Sequence, residues 1–346
     1  MDAFADRLLR WFDRVKRDLP WRRTSDPWAI WVSEIMLQQT RVEVVRAPFE
    51  RFVARFPSPA SFAAASDDEL QAAWRGLGYY RGARVLGDGA RAVVRDQGGV
   101  VPRELAALGE LPGVGDYTLG AVGSIAFRHA VPAVDGNVER VLARHLALRE
   151  NVKSSSGRAA LRDAAIARLH PQRPGDTNQA LMELGATVCT PTSPRCADCP
   201  VATDCEARRL GIATELPNKP APRAAVDVRA MAALVRAGDR VLAHRIEAGA
   251  VNAGQVELPG GGLLETVDSE AELQGVIERR FGAALRVGRK VAELKHAITH
   301  HRIRLAVHEA QALDQGSLIA LRTDDPQVPW TTASRKAFRA AGLPTA

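Results

Sequence analysis

All four cysteines of the chain fall in one short run, "CTPTSPRCADCPVATDC", from Cys189 to Cys205. Its prolines and small polar residues break both helical and strand periodicity, so the run reads as a loop organised by something its thiols share. Met1 to Pro20 is a charged amphipathic segment with no secretory pattern, and the chain is expected to stay in the cytoplasm. In that compartment clustered thiols bind metal more often than they pair as disulfides. A C-x6-C-x2-C-x5-C spacing suits Zn²⁺ or an iron–sulfur cluster. Structural zinc usually shows two C-x2-C knuckles and only one is present, so ligand chemistry alone leaves both open.

A chain of 346 residues exceeds one ordinary core, which implies two or more domains. With 46% hydrophobic and 25% charged residues and no apolar run of membrane length, it reads as globular, with no membrane partner. The net charge of +7, carried mostly by arginine, favours a polyanionic partner. Residues 1–212 read as helices. "DAFADRLLRWFDRVKR" sets Phe4, Leu8, Trp11, Phe12 and Val15 on one stripe, and "DDELQAAWRGLG" runs from acidic start to glycine stop. Residues 213–225 include three prolines between Pro217 and Pro222 and form a semi-rigid linker. In 226–346, "AALVRAGDRVLAHR" is strand, turn, strand. "SEAELQGVIERRFG" is a helix with a capping box at Ser269 and Glu272 and a stop at Gly282, and "HRIRLAVHEA" alternates as a strand with Ile303, Leu305 and Val307 inward. The expected architecture is an all-α domain joined to a smaller α/β domain.

Three features carry candidate chemistry. In "LPGVGDYTLGA", Gly113 and Gly115 clear side chains from a turn that opens a helix, so backbone N–H groups there could approach a phosphate; an ordinary helix–turn–helix reads the same way. In "VPAVDGNVERVL", Asp135 stands at a helix N-cap, a role that would suffice by itself. In "WVSEIMLQQT", Glu34 is flanked by Ile30, Trp31, Val32, Ile35, Met36 and Leu37. A carboxyl so placed is partnered, has a raised pKa, or lies on a polar stripe.

The ordered series "SEIMLQQTRVEVV", "WRGLGYYRGARVL", "LPGVGDYTLGA", "VPAVDGNVERVLAR", "NQALMELGATVCTP" and the cysteine run resembles the helix–hairpin–helix DNA glycosylases, and within them the MutY-type adenine glycosylases. The resemblance covers residues 1–210 in detail. It implies a [4Fe–4S] cluster on Cys189, Cys196, Cys199 and Cys205, a DNA-phosphate hairpin at Gly113 and Gly115, and Asp135 as the catalytic aspartate. Endonuclease III shares these features, but its family places a lysine nucleophile where this chain has Tyr117, so Schiff-base lyase chemistry is not expected. The C-terminal domain resembles the MutT-like, Nudix-fold domain by which the family checks for 8-oxoguanine. Val276, Arg279 and Arg280 stand where a working Nudix helix has metal-binding carboxylates, so pyrophosphohydrolase activity is not expected. Ile298, Thr299 and His300 replace the family's Phe-Ser-His probe of 8-oxoguanine, keeping a hydroxyl and an imidazole.

The resemblance implies a monofunctional enzyme that extrudes adenine from duplex DNA carrying 8-oxoguanine:adenine or G:A mispairs and hydrolyses its glycosidic bond. Glu34 is the expected acid at adenine N7 and Asp135 the anion facing the oxocarbenium ion, with Tyr117 and Asn137 beside them. Arg17, Trp21, Leu37, Gln179 and Glu183 match the adenine pocket, and Gln38, Leu77 and Tyr79 match residues that fill the stack and face the opposite base. Arg195, between the first two cysteines, is expected on the DNA backbone, and a nucleoid-associated bacterial monomer is implied. A thymine-mismatch glycosylase and a catalytically dead lesion sensor are the alternatives; retention of both Glu34 and Asp135 argues against the second.

Overall fold

The computed structural model describes residues 3–38, 40–74, 76–77, 80–220, 224–247, 249–250 and 252–345. The chain divides into two compact units, residues 1–66 with 76–221 and residues 67–75 with 222–346. The boundary at 221/222 falls inside the Pro-rich stretch. Segment 67–75, which the sequence places with the other helices, groups with the second unit instead.

The first unit holds α1 (Ala3–Val15), α2 (Pro27–Leu37), α3 (Val42–Arg55) and α4 (Pro59–Ala63); α5 (Asp67–Ala73) belongs to the excursion. It continues with α6 (Tyr80–Asp96), α7 (Leu105–Gly109), α8 (Asp116–Ile125), α9 (Gly136–His145), α10 (Ser155–Ile166), α11 (Pro174–Thr187) and α12 (Glu206–Arg209). In α1 the stripe buries Phe4, Leu8, Trp11 and Phe12, but Val15, the last residue of the helix, is 48% exposed. Helix α2 starts at Pro27 behind Asp26, whose carboxylate accepts from Trp28 N and Ala29 N, and every residue from Trp28 to Met36 is buried. A helix buried all round is a core element, and it carries Glu34 into that core. No helix among the described residues is long and apolar enough to cross a membrane.

Two glycines set how closely helices approach the loop that ends in Asp135. A Cβ on Gly120 of α8 would lie 1.9 Å from the Pro132 carbonyl oxygen, and one on Gly185 of α11 would lie 2.6 Å from Asn137 Cβ. From α11, Asn178 ties the same loop: its Oδ1 accepts from Ala133 N at 3.1 Å, and its Nδ2 donates to Val131 O and Ser124 Oγ, both at 2.9 Å. The core shared by α1, α9, α10 and α11 continues through Val188 and Val201, with Cys189 and Cys199 packed against it.

The second unit is a sheet in the order β3-β2-β1-β5-β4, with β6 on β2. Its strands are β1 (Val226–Ala237), β2 (Arg240–Arg245), β3 (Val256–Glu257), β4 (Ala284–Ile298), β5 (His301–Asp314) and β6 (Ile319–Leu321). β1 and β5 are parallel and the other named strand pairs antiparallel. Ile303, Leu305 and Val307 face one core with Trp330 and with Phe338 of the following α14 (Thr332–Ala340); α13 (Glu270–Phe281) covers the other. Ser269 caps α13 by accepting from Glu272 N. The Glu272 carboxylate reaches back to Asp268 N rather than to the cap residue, so the capping box is displaced by one position. Gly282 ends the helix at φ 61°.

Replacing Gly120 by alanine should destabilise the helical unit by about 2 kcal/mol through overpacking against Pro132. Urea unfolding of the variant tests this, and an unchanged midpoint would contradict it.

Candidate active site and cysteine loop

Glu34 is 5% exposed and accepts a short hydrogen bond from the Tyr117 hydroxyl, which also lies 3.9 Å from Met182 Sδ. Burial pushes the Glu34 carboxyl up to about 7, with the Asp135 charge adding to the rise and the Tyr117 donor opposing it. Tyr117 is itself pushed well above its ordinary value by burial and by the two carboxyls, so it remains a donor at neutral pH.

Asp135 caps α9. Its Oδ1 accepts from Asn137 N at 2.9 Å and Val138 N at 2.8 Å, and its Oδ2 accepts from Asn137 Nδ2 at 2.8 Å. Burial outweighs those three donors and the Arg140 charge, so this carboxyl too stands above its ordinary value. Both of its oxygens accept at the positive end of a helix, whereas Glu34 has one donor in an apolar helix. When the pair holds one proton, these surroundings put it on Glu34 and leave Asp135 ionised.

Beside them, Glu183 is clamped by two guanidiniums. Arg17 donates through Nε at 2.8 Å and Nη2 at 2.9 Å, and Arg22 through Nη2 at 2.9 Å. Burial pushes Glu183 up, but the two arginines outweigh it and hold the carboxyl below its ordinary value. Trp21 is buried edge-to-face on Phe49, and Leu37 and Gln179 are half-buried. Gln38 caps the end of α2 and lines a cleft with Arg81, Gly113 and Gly115. Gly113 sits at φ 84°, where a side chain would be strained and would meet Val85; at the N-cap of α8, Gly115 leaves the helix start open. Leu77 is 5% exposed, and Tyr79 lies outside the described residues.

Sequence reasoning missed Arg22, Asn178, Arg140 and Arg144. Arg140 is buried and donates to Asn137 Oδ1, Gly185 O and Cys189 O, each at 2.8 Å, so it ties the neighbour of Asp135 to the cysteine loop. Arg144, one turn on, donates to Thr190 O, Pro191 O and Cys189 Sγ, the last at 3.3 Å. Two arginines four apart in an otherwise apolar stripe were the available signal. All four thiols are half-buried and line one pocket with Val141, Leu184 and Val201. Burial pushes Cys199 up to about 11 and Cys205 upward, and neighbouring thiols add to both. Such thiols ionise only against a bound cation, and the adjoining guanidinium suits the negative charge of a thiolate cluster. The four residues therefore fit an iron–sulfur group. That fit is one of donor chemistry: among the described residues, no three His, Cys, Asp or Glu are grouped closely enough to hold a single metal ion. Arg195 is exposed and paired with Asp198.

In the second unit Thr299 and His300 form the two-residue turn between β4 and β5, with Thr299 at φ 52°, an unfavourable conformation for a β-branched residue. Val276 is buried in the core, and Arg280 donates to Gly260 O, so these two positions of α13 offer no carboxylate oxygens.

Residues 32–164 match the HhH-GPD superfamily of base excision DNA repair proteins. A thermostable thymine-DNA glycosylase superposes with a TM-score of 0.55 at 30% identity over 60% of this chain and 95% of its own. An endonuclease III–DNA covalent complex gives 0.52 at 24% identity, a likeness of fold. The first unit is thus a helix–hairpin–helix DNA glycosylase fold. The adenine DNA glycosylase of Mycolicibacterium smegmatis is 42% identical over 206 residues, 59% of this chain and 69% of that protein, and the human adenine DNA glycosylase is 47% identical over 216 residues. The chain belongs to the adenine DNA glycosylase (MutY) family. The matched region spans 40% of the human and 45% of the rat enzyme.

Between pH 4.5 and about 7 the folded protein keeps the Glu34 proton that the unfolded chain has lost, so stability falls as pH rises through this window. Glu34→Gln should therefore be more stable than the parent at pH 8, by about 3 kcal/mol, and equal to it near pH 4. Denaturant melts at both pH values check this, and equal stability at pH 8 would contradict it. Tyr117→Phe removes a donor to the ionised form and should raise the Glu34 pKa further. The alkaline limb of the variant's pH–rate profile would then move to higher pH.

Proposed function

We propose that this chain is a monofunctional adenine DNA glycosylase acting on adenine opposite 8-oxoguanine or G in duplex DNA. The observation that carries the reading is the pair of buried carboxyls, Glu34 with one donor in an apolar helix and Asp135 with three donors at a helix start. An extruded adenine leaves only after protonation, and Glu34, with its pKa near neutrality, donates that proton at N7. Positive charge then develops on the sugar and meets Asp135, fixed at the start of α9. Tyr117 holds Glu34, and Asn137 holds Asp135 and orients the attacking water. The clamped Glu183 carboxylate accepts from the purine amino group, with Trp21, Leu37 and Gln179 completing the pocket. No lysine stands at the Tyr117 position, so no Schiff base forms and the strand is left intact.

Cys189, Cys196, Cys199 and Cys205 would hold a [4Fe–4S] cluster, which when bound supplies cross-linking of the loop rather than electrons to a hydrolysis. Arg195 on that loop and the hairpin at Gly113 and Gly115 meet DNA phosphates. The second unit is a MutT-like (Nudix-fold) domain in which Thr299 and His300 read the base opposite adenine by hydrogen bonds.

Single-turnover base release from duplexes carrying A opposite 8-oxoguanine, A opposite G and T opposite G tests the reading. Adenine release from the first two and none of thymine is expected; release of thymine alone would replace it with a thymine-mismatch enzyme. Glu34→Gln should lose cleavage by at least about 10³-fold while still binding DNA. Thr299→Ala with His300→Ala should reduce the preference for 8-oxoguanine over G. Purified protein should be brown and absorb near 400 nm, and a colourless, zinc-loaded protein would refute the cluster.

A further inference from the structure

The sheet of the second unit carries a feature that the base-reading turn does not use. The strand register sets Arg229 of β1 beside Arg304 of β5, and Arg304 beside Lys295 of β4. Cross-strand partners point to the same face, so three cations form one row, and all three are exposed. Like charges directly opposite each other destabilise a sheet, and nothing in packing calls for them here. Arg229 is paired with Asp268. Among the described residues neither Arg304 nor Lys295 has a hydrogen-bonded acid; Glu293, whose carboxylate feels both, is hydrogen-bonded to Lys290. One row nearer the turn, Arg302 is paired with exposed Asp227. Arg229, Lys295, Arg302 and Arg304 line a single cleft in which Asp227 is the one carboxylate.

We propose that this cleft is a track for the phosphate backbone of duplex DNA, with Arg304 and Lys295 as its principal contacts. An anion seated between two adjacent cations turns their repulsion into attraction, and phosphates repeat along a strand as cations repeat along this row. The row lies four residues from the Thr299–His300 turn, about 13 Å along the strands. A backbone held there steadies the duplex while the turn meets a base edge, because phosphate contacts fix register and base contacts supply specificity. The inference rests on the proposed function for the identity of the DNA and extends it to a face that function does not require.

The test uses the full chain carrying Arg304→Gln and Lys295→Gln, with Lys290→Gln as a control for a cation already paired to an acid. Binding to a duplex with a non-cleavable adenine analogue opposite 8-oxoguanine, and to one with the analogue opposite G, is measured from 50 to 200 mM salt. The double variant should bind both about 10-fold or more weakly at 150 mM, with the slope of log K against log salt reduced by about 2. Its single-turnover excision rate at saturating DNA should be unchanged. A folded double variant, by circular dichroism and melting, with the parent's salt slope would overturn the inference, as would an equal loss in Lys290→Gln. Because binding is read without chemistry, a parent chain that released no adenine would sink the proposed activity and leave this result decisive on its own.

Discussion

Two carboxyl groups buried in one site cannot both be charged at low cost, and the helical unit is built around that constraint. Glu34 sits in a helix with no exposed face, receives one hydrogen bond and resists ionisation to about pH 7. Asp135 sits at a helix start and receives three. The two residues differ less in chemistry than in how many donors surround them, and the proposed roles of proton donor and anion rest on that difference.

Holding Asp135 in place takes most of the surrounding framework. Gly120 and Gly185 let α8 and α11 come against its loop, where any side chain would collide with backbone or with Asn137. Asn178 pins the loop from behind. Arg140 then joins Asn137 to the carbonyl of Cys189, and Arg144 anchors the two residues that follow it. Helix α9 therefore carries the anion at one end and the anchors of the cysteine loop along its length. A disturbance of the cysteine loop has a short covalent and hydrogen-bonded route to the Asp135 carboxylate.

Local structure was legible wherever one residue decides it. The Asp135 cap, the Gly113 turn, the β1–β2 hairpin and the end of α13 at Gly282 each follow from a side chain acting on its own backbone. Glu34 stood out because a carboxyl among Ile30, Trp31, Val32, Ile35 and Met36 has nowhere polar to go. Arg22 and Asn178 were not legible, since their partners lie far along the chain and nothing in their neighbourhoods marks them as buried. Segment 67–75 shows the same limit: its helix is written locally, but its grouping with the second unit is not. Val15 and Leu77 show the converse, where an apolar side chain by itself does not say whether it is covered.

Near neutrality the pair shares one proton, and Glu34 keeps it. Infrared titration of the carboxyl stretch, with Glu34 assigned by its loss in Glu34→Gln, measures this in the free protein without any reaction. The protonated Glu34 band should disappear around pH 7, and at lower pH in Asp135→Asn, where the cap is kept but the repelling charge is gone. A Glu34 band already lost by pH 5, or one unmoved by Asp135→Asn, would contradict that placement of the proton.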